Sequence, residues 1–220
     1  MDIVFINKVS YLFSVDDFCG YLNLIRIHNK TASLQHALLA LILFYRVHLK
    51  VVKIIFSDHE AVLNSCVLSL EGHGAKYRAR IPGEREVDAQ CGMRTLREAL
   101  RIIQLELKNE EGYDLASIFL PFVVMDCTNT RNFIPNARSS PHIPEVIITG
   151  AKVNFRTDLT ASTGRLVMVK TNDVTSDGTP ILKQEYGLAL GRVTNTKGSV
   201  WTYRMDIIES SLAESSRQNK

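Results

Sequence analysis

The sequence predicts an α/β chain: a mixed five-stranded sheet flanked by helices, followed by a small β-rich C-terminal module. Three observations carry that expectation. Short β-branched or alternating runs interchange with segments of helical spacing over residues 1–130. The stretch 131–150 changes character, with Pro135, Pro141, Pro144 and an "RSS" segment, and reads as a linker. Beyond it, over 151–208, β-like pieces alternate with turn sequences such as "SDGTP" and "NTKGS", as in a small β-barrel or curled sheet. A polar tail, 209–220, closes the chain.

Within the core, "DIVFIN" and "YLFSV" flank a polar "NKVS" and read as a hairpin. After the turn chemistry of "DDFCG", the alternating "YLNLIRI" gives a third strand. Leu34, Leu38, Leu41 and Tyr45 recur at helical spacing and predict a helix from Thr31, its N-cap, to about His48. "VVKIIFS" is a fourth strand, a helix runs from about Glu60 to Leu70, and "KYRARI" is a fifth strand ended by Pro82 and Gly83. A helix then carries Met93, Leu96, Leu100 and Ile103 on one face. The last helix of the core, Asp114 to about Asn129, is expected to turn Leu115, Ile118, Phe122 and Val123 inward and to kink at Pro121.

Composition sets bounds. With 220 residues, 45% hydrophobic and 22% charged, the chain has an ordinary globular balance. A net charge of +3 permits an anionic partner without demanding one. Cys19, Cys66, Cys91 and Cys127 stand far apart with no C-x-x-C pair, which argues for reduced thiols in an intracellular protein. No signal peptide is read at the N-terminus. The longest apolar run, "ALLALILFY", is far short of the roughly 20 residues a membrane span needs.

Two acids sit where chemistry is expected. Asp2 opens the first strand and Asp58 closes the fourth, so the two carboxylates meet if those strands are neighbours. Paired carboxylates on rigid strands suit Mg²⁺, a hard cation that takes oxygen ligands. A third acid would complete a two-metal site with ions roughly 3.5–4 Å apart. The plainer reading of Asp58 is a helix N-cap before "HEAVL". On the helix after Pro82, Gln90, Arg94, Arg97 and Arg101 fall at i, i+4, i+7 and i+11 and form a second, basic face. Exposed arginines paired with acids such as Glu98 are the plain alternative to a phosphate-binding ridge.

"MDIVFINKVSYLFSVDDFCGYLNLIRIHNKTAS" resembles the opening of retroelement integrase cores of the Ty1/copia-like type. "IIFSDHEAVLNS" is similar to their second-aspartate strand, and "MRTLREALR" to their arginine-rich catalytic helix. "SPHIPEVIITGAKVNFRTDL" and "LALGRVTNTKGSVWTY" resemble their linker and C-terminal β module. The resemblance implies a ribonuclease-H-like fold and a DNA-integration function of polynucleotidyl transferase ancestry. It implies Asp2 and Asp58 as metal ligands for Mg²⁺ or Mn²⁺, with Gln90 standing at the third acid's position. A glutamine there brings no charge, so the site is expected to be weak or inactive, unless Glu86, one turn earlier, substitutes. Arg94, Arg97, Arg101 and Lys108 are implied to face the DNA phosphate backbone. A homo-oligomer, a nuclear place of action and descent from a retrotransposon Pol polyprotein follow from the same likeness. Two other readings stand beside it: a catalytically silent nucleic-acid-binding or scaffolding remnant, and a metal-dependent nuclease of the same fold.

Other residues carry less. Lys76, Arg78 and Arg80 alternate on the fifth strand and either extend a basic surface or guard an edge against aggregation. The six histidines show no ligand spacing, and Cys91 has no base partner in the sequence. Trp201 and Tyr203 share a strand face, as core of the C-terminal module or as a stacking surface.

Overall fold

The computed structural model describes residues 1–28, 32–57, 63, 65–79, 87–112, 114–155, 163–174, 180–192 and 200–204. Strands β1 (Asp2–Ile6), β2 (Val9–Val15) and β3 (Leu22–Ile27) form one antiparallel sheet in the order β1-β2-β3. Ile6 pairs with Val9 across Asn7 and Lys8, whose φ values of 47° and 65° suit the two-residue turn that matches strand twist. The second turn is held by Asp16, whose Oδ1 accepts from the Phe18 and Cys19 amides at 3.1 and 2.9 Å. Gly20 closes it at φ +70°, and a Cβ there would lie 2.8 Å from Asn136 Nδ2, so glycine is required twice over.

Helix α1 (Ala32–Val47) runs as its spacing predicts, with Leu34, Leu38, Leu41 and Tyr45 all buried. These side chains pack with Leu12, Ile27 and Ile55 in one cluster. The expected N-cap, Thr31, lies outside the described residues.

Strands β4 (Ile54–Ser57) and β5 (Lys76–Ala79) pair in parallel, linked through helix α2 (Val67–Gly72). The single five-stranded sheet expected from the sequence is not formed among the described residues. Three strands and two strands make separate ladders, joined where the Met1 ammonium donates to Phe56 O at 2.8 Å.

Helix α3 (Val87–Glu106) buries Ala89, Met93, Leu96 and Leu100 and continues into a π-helical turn, Leu107–Glu111, ended by Gly112 at φ +75°. Helix α4 spans Leu120–Asn132, later than expected. Pro121 is therefore its second residue and not a kink, because a first-turn proline gives up an amide with no helical partner. Of the four side chains expected inward, Val123 is buried and Leu115 is half-buried, whereas Ile118 and Phe122 are exposed. Helix α5 covers Pro144–Thr149.

Two compact units result. The first is Met1–Arg101 with Cys127–Val153, and the second is Ile102–Asp126 with Asn154–Lys220. The stretch 131–150, expected as a linker, lies in the first unit. There Asn132 brackets Leu22 through both its amide N and its carbonyl at 2.8 Å, and Asn136 Nδ2 donates to Cys19 O at 3.0 Å. In the second unit β6 (Leu166–Val174), β7 (Pro180–Arg192) and β8 (Val200–Arg204) form a three-stranded antiparallel sheet with an irregularity at Ala189/Gly191. Its core gathers Phe119, Leu188 and Leu190, with Tyr203 edge-on to Phe119 at 5.0 Å. Tyr203 thus serves the core. The tail 209–220 lies outside the described residues, and so does the Trp201 side chain.

Candidate acid site and basic ridge

Asp2 is half-buried and lies directly opposite Phe13 in the β1–β2 ladder. Opposed residues of a ladder share a face, so Asp2, Val4, Tyr11, Phe13 and Val15 line one side of the sheet. Helix α3 crosses that side. A Cβ on Gly92 would stand 2.9 Å from Phe13 Cζ and 3.3 Å from Val15 Cγ2, so the missing side chain lets the helix settle on the strand.

Asp88 is one turn before Gly92 and is half-buried. Four residues before Gly92, it lies on the helix side that meets the sheet. Arg138 Nη2 donates to Asp88 Oδ1 at 2.5 Å, and Arg138 Nη1 reaches Asp17 Oδ1 at 3.3 Å. The Asp88 hydrogen bond holds the guanidinium above its usual pKa, against the opposing effect of burial. Arg138 had no signal in the sequence beyond its place in "RSS", since no periodicity marks a loop residue.

Gln90 is exposed. It is two residues from both Asp88 and Gly92, roughly 200° round the helix at about 100° per residue. Arg94, Arg97 and Arg101 are exposed on the same outer side. Arg94 Nε pairs with Glu98 Oε1 at 3.1 Å, an exposed i,i+4 pair that contributes little. Arg97 and Arg101 have no ion-pair partner among the described residues. Lys108 belongs to the second unit and pairs with Asp114 at 3.5 Å. Asp58, His59 and Glu86 lie outside the described residues.

A cavity of about 930 Å³ opens at the end of the first sheet. Asp16, Asp17 and Asp88 are among its lining residues, and so are Lys50 and Lys53. Among the described residues no three His, Cys, Asp or Glu side chains come together as a metal site. Asp2 is one placed candidate ligand, and its expected partner Asp58 is not among the residues described. Cys19 is no nucleophile: burial first, then the neighbouring Asp16 carboxylate, push its thiol up to about 12. No helix among the described residues is long and apolar enough to cross a membrane.

No protein-family profile matches the chain, and no curated protein matches it in sequence. Among solved structures it is similar to the catalytic core domain of BIV integrase, at 18% identity and a TM-score of 0.48, over 67% of this chain and 90% of that one. It is similar to the HTLV-2 integrase catalytic core domain, solved in complex with magnesium, at 14% identity and a TM-score of 0.47 over the same shares. A simian T-cell lymphotropic virus intasome, in complex with the PP2A regulatory subunit B56 gamma, aligns at 11% identity and a TM-score of 0.49, over 92% and 74%. At this level each is a likeness of chain trace, and it assigns no activity, ion or partner to this chain.

Proposed function

We propose that the chain is a DNA-binding core of integrase type, of polynucleotidyl transferase ancestry and derived from a retrotransposon Pol polyprotein. The observation that carries this reading is the position of Asp2. It opens a strand that starts beside β4, through the Met1–Phe56 hydrogen bond, and it shares a sheet face with the residues under α3. That is the arrangement the sequence resemblance implies for the first acid, with Asp58 following β4 by one residue.

In this reading Arg94, Arg97 and Arg101 contact DNA phosphates from the outer side of α3, with Lys108 beyond them. Asp2 and Asp58 would hold Mg²⁺ or Mn²⁺, which when bound supplies charge neutralisation for phosphoryl chemistry. Asp88 and not Gln90 is the helix acid on the sheet side, so Asp88 takes the third position. Arg138 holds that carboxylate in place. The chain acts in the nucleus, on DNA, as a homo-oligomer.

The test is nicking and strand transfer of duplex DNA in Mg²⁺ and in Mn²⁺. Asp2→Asn and Asp88→Asn should each remove the metal-dependent product, and Gln90→Glu should leave it unchanged. Product gained only on Gln90→Glu would return the third position to Gln90. A specific observation favours the silent-remnant reading: the Asp88 carboxylate is engaged by the Arg138 guanidinium. Absence of product from the unmodified chain, with DNA binding intact, decides for that reading.

A further inference from the structure

The β4–β5 pair has one face on the core and one face partly exposed. Ile55 and Tyr77 are partners in the ladder; Ile55 belongs to the buried cluster and Tyr77, half-buried, packs against it. Ile54 pairs with Lys76 and Phe56 with Arg78, so these four share the opposite face. All four are exposed, Ile54 and Phe56 at 38% each. Two apolar side chains on one strand therefore lie beside two cations on the next, about 4.8 Å away across the ladder.

Lys50 and Lys53 add positive charge to the lining of the cavity that Ile54 and Phe56 also line. None of Lys50, Lys53, Lys76 and Arg78 has an ion-pair partner among the described residues. The acids that line the same cavity are partly neutralised, because Arg138 engages both Asp17 and Asp88. An edge strand needs charge to resist pairing with another chain, but that need does not account for an exposed phenylalanine and isoleucine beside it.

We infer that the open face of β4–β5 binds single-stranded nucleic acid, with a base stacked on Phe56 and phosphates held by Lys76 and Arg78. Duplex DNA keeps its base faces stacked inside and meets such a surface through charge alone. An unpaired strand offers both a ring face and a phosphate, which is the pairing of features this sheet presents. The ridge on α3, by contrast, has arginines and no aromatic residue among Gln90, Arg94, Arg97 and Arg101. The two surfaces thus differ in the form of nucleic acid they suit. The inference rests on the nucleic-acid reading above and adds a second surface with its own preference.

The experiment compares a short fluorescent single strand of mixed sequence with its duplex by anisotropy on the full chain. Phe56→Ala should weaken single-strand binding about tenfold or more while duplex binding changes little. Phe56→Trp should retain the single-strand affinity, and Phe56→Leu, which keeps apolar bulk if alanine unfolds the chain, should lose it. Lys76→Glu with Arg78→Glu should flatten the single-strand salt slope by at least about 1.4. An unchanged ratio of single-strand to duplex affinity in Phe56→Ala and Phe56→Leu overturns the inference. If ridge substitutions alone abolish duplex binding in that case, the proposed function stands and only this surface fails. Binding of neither form by the unmodified chain overturns both.

Discussion

Arg138 donates to Asp88 at 2.5 Å and at the same time reaches Asp17 at 3.3 Å, so one loop arginine ties the start of α3 to the turn between β2 and β3. Both side chains of the shorter pair are about one-third exposed, at 33% and 36%. Solvent screening therefore limits the pair, and Arg138→Ala should cost about 1 kcal/mol. In a chain of this size that lowers the melting temperature by roughly 2–4 °C. Calorimetry on the variant checks it, and Arg138→Lys should recover part of the loss through charge without the fork. An unshifted melting temperature would show that Asp88 is well solvated without its partner.

Gly92 gives a sharper expectation because two effects oppose. Alanine is favoured over glycine in a helix interior by about 1 kcal/mol. The added methyl would stand 2.9 Å from the ring of Phe13, which is wholly buried. Overpacking of a filled core costs about 1–3 kcal/mol, so Gly92→Ala should destabilise on balance. Urea unfolding decides, and a variant more stable than the parent would mean that α3 stands off the sheet.

The buried thiol and phenols set the alkaline limit. Burial pushes Cys19 up to about 12 from its ordinary value of 9.0, and Tyr11, Tyr21 and Tyr45 are raised mainly by burial as well. Between those values the unfolded chain has released the Cys19 proton while the folded chain keeps it. The unfolded state binds fewer protons there, so stability falls as pH rises above about 9. Urea midpoints taken from about pH 7 to about pH 11 should decline in that window, and less steeply in Cys19→Ala. Midpoints level across the window would place Cys19 in contact with water.

Much of this was legible in the sequence, and the gaps have physical causes. Strand alternation gave β1 to β3, and the Leu34, Leu38, Leu41, Tyr45 spacing gave α1, because burial on one side imposes a period. Periodicity also separated the apolar side of α3 from its arginines. It did not show which flank meets the sheet, since Asp88 with Gly92 and Gln90 with Arg94 are both i,i+4 pairs. Only the Phe13 contact chooses between them. The role of 131–150 was hidden for another reason. Asn132 and Asn136 act through side-chain bonds to the backbone of Leu22 and Cys19, more than a hundred residues away in sequence. Prolines there describe turns, and turns also occur in packed chain.

The central claim, a phosphate-binding outer face on α3, is tested most directly by the salt dependence of duplex DNA binding. Each phosphate contact contributes about 0.9 to the slope of log affinity against log salt concentration. Replacing Arg94, Arg97 and Arg101 together by glutamate should weaken binding to all duplex sequences alike and flatten that slope by about 2.7 or more. The three side chains are exposed, so the fold should survive, as circular dichroism would record. An affinity and a slope unchanged by the triple substitution would contradict the account and leave the ridge as solvated surface.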